Sequence, residues 1–84
     1  MKNASEIKEF LVGRVAEITG TSPDTISTNS PFYRLDIDSM TLVAIASELE
    51  NFLEVPIESD LMFSAKTIDA LVPKLIAVVE GKHA

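Results

Sequence analysis

The sequence predicts an all-α domain, a four-helix bundle with a long loop between helices 1 and 2 and a short third helix. Three observations lead there. Apolar residues recur at spacings of three and four in separate stretches, which marks helices with one buried face. A helix-start residue precedes each stretch: Asn3, Asp38, Ser59 and Thr67. The connections are unequal: a long polar one runs from Thr21 to Asp38, and short ones follow. Residues 1–84 read as one domain, with no internal repeat and no heptad pattern.

The first helix opens at Asn3, with Glu6 placed to complete a capping box. Ile7, Phe10, Leu11, Val15 and Ile18 fall on its inner side, and Lys8, Glu9, Arg14 and Glu17 mostly on the other. Gly20 ends it, because glycine accepts the left-handed conformation that follows a helix. The connection after it is rich in turn formers, with Ile26 as its anchor. Ser30-Pro31 reads as the cap and first position of a short turn that points Phe32 and Leu35 inward. A loop of this length in a small domain has its own packing or a function.

The second helix is expected from Ser39 to about Leu53, with Asp38 as its cap. Its inner stripe is Leu42, Ile45, Ala46, Leu49, Phe52 and Leu53. Val55-Pro56 stops it, since the residue before proline avoids the helical region. Ser59 is read as the cap of one or two turns carrying Leu61, Met62 and Phe63. Thr67 caps the last helix, whose inner face is Ile68, Leu71, Val72, Leu75, Val78 and Val79, and Gly81 ends it. Pro73 removes a hydrogen bond inside that helix, so a kink or a late start is expected. The predicted core is Ile7, Leu11, Val15, Phe32, Leu35, Leu42, Ile45, Leu49, Phe63, Leu71 and Leu75.

Composition narrows the function. There is no cysteine, so disulfides and thiolate metal sites are excluded. The single histidine, His83, reads as a solvated tail residue and cannot build a metal site alone. No apolar run is long enough to span a membrane, and no signal peptide begins the chain, so a cytoplasmic protein is expected. The net charge is −6. Acids stand at 36, 38, 48, 50, 54, 58 and 60 with no lysine or arginine between them. Such a surface repels nucleic acid and speeds encounter with proteins bearing basic patches.

Leu35-Asp36-Ile37-Asp38-Ser39-Met40 is the informative stretch. It places a solvent-facing serine at the first turn of the second helix. Ser39 is not equipped as a nucleophile, because an activated serine needs a base, usually an oriented histidine. His83 is in the tail, no Gly-x-Ser-x-Gly elbow surrounds Ser39, and Asp38 is too acidic as an exposed carboxylate. A chain without enzymatic activity is expected.

With Val55-Pro56-Ile57, Leu61-Met62-Phe63 and Thr67-Ile68-Asp69-Ala70-Leu71 following at this spacing, the sequence resembles the acyl carrier protein family from Ile7 to Val79. In that family the serine of an Asp-Ser-Leu, Ile or Met motif carries 4′-phosphopantetheine. The resemblance implies that Ser39 is the attachment site, with Asp38 as motif residue and helix cap. A separate phosphopantetheinyl transferase attaches the arm from coenzyme A, and the arm's thiol holds an acyl group as a thioester. It also implies that a monomer docks an acyltransferase or acyl-activating ligase, and a ketosynthase, through Asp36, Met40, Val43, Ala44, Ser47, Glu48 and Glu50.

The family usually has glycine where Asp36 stands, two residues before the motif aspartate. The double glycine typical of peptidyl carriers is absent, which favours a polyketide or fatty-acid type over a peptidyl one. Two other readings stay open: an interaction module in which Ser39 only caps a helix, and a phosphorylation switch at Ser39.

Overall fold

Asn3 and Glu6 exchange hydrogen bonds of 2.9 Å at the head of the first helix, α1 (Ala4–Thr19). This capping box satisfies two donors that no helical carbonyl can reach. Gly20 closes the helix in the left-handed conformation, at φ 71° and ψ 28°. The computed structural model describes residues 2–81; His83 lies outside the described residues.

Three more helices follow: α2 (Ser39–Leu53), α3 (Ser59–Ala65) and α4 (Ile68–Val79). No strand occurs among the described residues. The protein is therefore all-α, as periodicity implies. α1 packs on α4, α4 on α3, and α3 on α2. α1 and α2 are further joined by Phe10 stacked on Phe52, with ring centroids 4.2 Å apart, and by an ion pair between Arg14 and Glu48.

The long connection is not slack. It contains two 3₁₀ turns, Pro23–Thr25 and Phe32–Leu35. Thr28 accepts the Asp69 N–H at 2.9 Å, and Phe32 donates its N–H to the Lys66 carbonyl at 2.9 Å. An isolated antiparallel bridge joins Pro31 to Thr67. The segment is thus stitched to both ends of the α3–α4 junction, and delivers the chain to α2 at a fixed place.

Ile7, Leu11, Val15, Phe32, Leu42, Ile45, Leu49, Leu71 and Leu75 are buried as expected. Two other members of the expected core are not. Leu35 is only half-buried, and Phe63 is 41% exposed. Leu61, Met62 and Phe63 are consecutive on a helix of 3.6 residues per turn, so they cannot share a face. Met62 takes the inward position at 0% exposure. Ile18, assigned to the inner side of α1, is exposed on its last turn. Ile37, Ile57 and Ile68 are buried and belong to the core.

Three local expectations are corrected. Ser59 is the first residue of α3 rather than its cap; Glu58 takes the cap position without a side-chain bond. Pro31, not Ser30, caps the second 3₁₀ turn. α4 starts at Ile68 and runs unbroken through Pro73 instead of starting late. Thr67 anchors that start by accepting the Ala70 N–H at 3.0 Å. Pro73 lies on the exposed face, so the carbonyl it leaves without a partner can be hydrated.

Candidate functional site

Asp38 has extended backbone angles, and its carboxylate accepts the Thr41 N–H at 2.8 Å. That is the geometry of a helix cap. Hydrogen bonding from the Thr41 backbone, then from its hydroxyl, lowers the Asp38 pKa below the ordinary carboxylate value. Asp38 is therefore ionised at neutral pH. Ser39 is the first residue of α2 and is exposed, and its hydroxyl has no hydrogen-bond partner among the described residues.

Asp36 sits in the left-handed region, at φ 62° and ψ 32°. It ends the second 3₁₀ turn by donating its N–H toward the Phe32 and Tyr33 carbonyls. A side chain is disfavoured in this conformation, and aspartate tolerates it better than most. The backbone angle explains why glycine suits the position. Ile37 then turns into the core between two exposed aspartates, and this alternation holds Ser39 at the rim.

Beside Ser39 opens a groove of about 510 Å³. Phe32, Ile37, Leu42 and Met62, all buried, form its floor, while exposed Tyr33, Phe63 and Lys66 form its edge. None of Tyr33, Phe63 and Lys66 is among the site residues expected from the sequence, where Phe63 is assigned to the core instead. The signal available was the triple apolar run at Leu61, one member of which must face out.

The residues assigned to a partner surface divide into two groups. Met40, 83% exposed, and Val43, 45% exposed, lie with exposed Ala44 and Ser47 on one stripe of α2. Neither Met40 nor Val43 is part of the core. Glu48 and Glu50 are engaged internally. Both Glu48 oxygens accept from Arg14, Nε at 2.8 Å and Nη2 at 2.9 Å. Glu50 accepts the Ile57 N–H at 2.7 Å, which fastens the end of α2 to the turn after it. The exposed α2 stripe beside Ser39 is accordingly neutral, and Asp36 and Asp38 supply the nearby negative charge. No group of residues suited to hold a metal occurs among the described residues. No described helix is long and apolar enough to cross a membrane.

Comparison with known proteins agrees with this geometry. The family model described as "Phosphopantetheine attachment site" matches residues 9–73. Erythronolide synthase EryA3 of Saccharopolyspora erythraea is 32% identical over 69 residues, which are 81% of this chain and 2% of that synthase. An acyl carrier protein from Anabaena, described as having a variant phosphopantetheinylation-site sequence, superposes with a TM-score of 0.80 at 25% identity, covering 87% of this chain and 83% of that one. A free-standing peptidyl carrier protein from Acinetobacter baumannii gives a TM-score of 0.82 at 23% identity, over 92% and 96% of the two chains, and is alike in fold. The chain belongs to the phosphopantetheine attachment family, the non-catalytic carrier proteins that hold 4′-phosphopantetheine covalently.

Proposed function

We propose that residues 1–84 form an acyl carrier unit whose arm is attached to Ser39, working in polyketide or fatty-acid assembly. The observation that carries the reading is the exposed, unpartnered Ser39 hydroxyl at the capped start of α2, beside an apolar groove. The 32% identity to a segment of a polyketide synthase favours the polyketide branch.

The residues present fit the group. The Ser39 hydroxyl is free to become the bridging oxygen of a phosphodiester. The positive end of the α2 dipole favours a negative charge there. Asp38 fixes the helix start, so the serine is presented at a constant angle. Asp36 and Asp38 repel a neighbouring phosphate and hold the arm's base toward water. When bound, the arm supplies a terminal thiol on which an acyl group is carried as a thioester. Exposed Met40, Val43, Ala44 and Ser47 offer a shallow apolar surface to a phosphopantetheinyl transferase, an acyltransferase or acyl-activating ligase, and a ketosynthase. Asp36 contributes charge to the encounter. The unit acts as a monomer in the cytoplasm.

The test is incubation with coenzyme A and a promiscuous phosphopantetheinyl transferase, followed by intact-mass measurement and peptide mapping. One phosphopantetheine mass mapped to Ser39 is expected. An unchanged mass would leave a helical interaction module in which Ser39 only begins a helix.

A further inference from the structure

We infer that Lys66 is a positioning residue for the arm: its ammonium pairs with the phosphodiester on Ser39 and biases the arm toward the groove that both residues line. The inference rests on Ser39 being the attachment site. Three features of Lys66 support it.

The first is placement. Ser39, Asp38 and Lys66 line the same groove, and Lys66 is the one basic residue among its lining. Its floor is apolar, so a phosphate drawn to that edge carries the arm across a surface that favours burial of its methylene and methyl groups.

The second is charge. Lys8 pairs with Asp69 at 3.2 Å, and Arg14 pairs with both Glu17 and Glu48. Lys2 lies over the Phe52 ring and Arg34 over the Tyr33 ring. Lys66 and Lys74 have no ion pair or ring contact among the described residues, and of these two Lys66 is the one that lines this groove, so its charge is open to a ligand there. A phosphodiester on Ser39 is repelled by Asp36 and Asp38 and attracted by Lys66. These charges have opposite effects at short range, and they are screened by salt.

The third is the backbone. Thr67 donates its N–H to the Ala65 carbonyl at 2.8 Å, closing a tight three-residue turn with Lys66 at its centre. Lys66 has φ 68° and ψ −33°, where a side chain is rarely tolerated and glycine is favoured. Its carbonyl accepts the Phe32 N–H, so the turn is fastened to the groove wall. A lysine is thus held in a strained conformation at the groove's edge, and strained backbone of this kind is characteristic of functional positions.

An exposed ion pair is weak, so the role is a bias on a mobile arm and not a clamp. The chain has no cysteine, so the arm's thiol is the single site for a nitroxide label. Loading at Ser39 is first verified by mass and peptide mapping. In the labelled holo chain, paramagnetic broadening is expected at the Leu42, Met62 and Phe63 amides. Lys66→Gln should lower that broadening by about two- to fivefold, the range open to an exposed ion pair, while Lys66→Arg retains it. Roughly 0.5 M salt, where screening lengths fall to a few ångströms, should bring the wild-type chain toward the Gln variant.

Equal broadening in wild-type and Lys66→Gln chains, or no broadening of the groove in wild type, would each overturn the inference. Loading at a residue other than Ser39 would instead overturn the attachment reading.

Discussion

Arg14 grips Glu48 with two parallel hydrogen bonds, Nε to Oε1 at 2.8 Å and Nη2 to Oε2 at 2.9 Å. A third guanidinium nitrogen reaches Glu17 at 3.0 Å. The hydrogen bonds to Glu48 are the largest cause of a raised Arg14 pKa. The fork spans 34 positions of sequence and ties α1 to α2 beside the Phe10–Phe52 stack. It removes an acid from the surface available for steering a partner.

Docking kinetics should reflect that division. Arg14→Gln with Glu48→Gln removes a neutral pair and should leave the salt dependence of association with a condensing enzyme unchanged. Asp36→Asn should flatten it, because exposed charges set association rates. Met40→Ala should speed dissociation at every salt concentration, by on the order of 1–2 kcal/mol for an apolar anchor. Stopped-flow measurement on the holo protein checks all three. A salt slope that falls when the Arg14–Glu48 pair is removed but not with Asp36→Asn would contradict the assignment.

Asp36 provides a test of backbone conformation. At φ 62° a Cβ is disfavoured, and the aspartate side chain offsets part of that cost. Asp36→Gly should stabilise the fold by about 0.5 kcal/mol, and Asp36→Ala should destabilise it by about 0.5–1 kcal/mol. Chemical denaturation should give the stability order Gly, Asp, Ala.

The Asp38 cap should be visible in acid. Its folded-state pKa is lowered, chiefly by the Thr41 N–H, from an ordinary value of 3.8. A depressed carboxylate contributes stability above its unfolded pKa and loses it as pH falls through the folded value. The wild-type chain should therefore lose this contribution below pH 3.8, and Asp38→Asn should lack that component of the pH dependence. Thermal melts of both chains from neutral to strongly acidic pH measure the difference. Parallel curves would exclude the linkage.

Core and rim should separate cleanly in stability. Leu49 is fully buried, and Leu49→Ala should cost about 2–5 kcal/mol. Phe63 is 41% exposed, so Phe63→Ala should cost well under that, about 1 kcal/mol or less. Equal losses in denaturant would place Phe63 in the core.

Much of this arrangement was legible in the sequence, for identifiable reasons. Leu42, Ile45 and Leu49 recur at helical spacing, and Asp38 and Thr67 are residues whose side chains cap helices. These signals are local. Phe63 departs from the expected core because α3 is too short for periodicity to say which of three apolar neighbours faces out. The pairing of Glu48 with Arg14 depends on how α1 and α2 pack, which no local pattern records. The left-handed turn at Lys66 was equally hidden, since nothing in Ala65-Lys66-Thr67 announces a positive φ without glycine.

The most direct test of attachment compares wild-type and Ser39→Ala chains after incubation with coenzyme A and phosphopantetheinyl transferase. Both should show the same helical circular dichroism, because the exposed Ser39 hydroxyl supports nothing in the fold. The wild-type chain should gain one phosphopantetheine mass, and the Ser39→Ala chain none. A Ser39→Ala chain that still gains that mass would contradict the attachment site proposed at the head of α2.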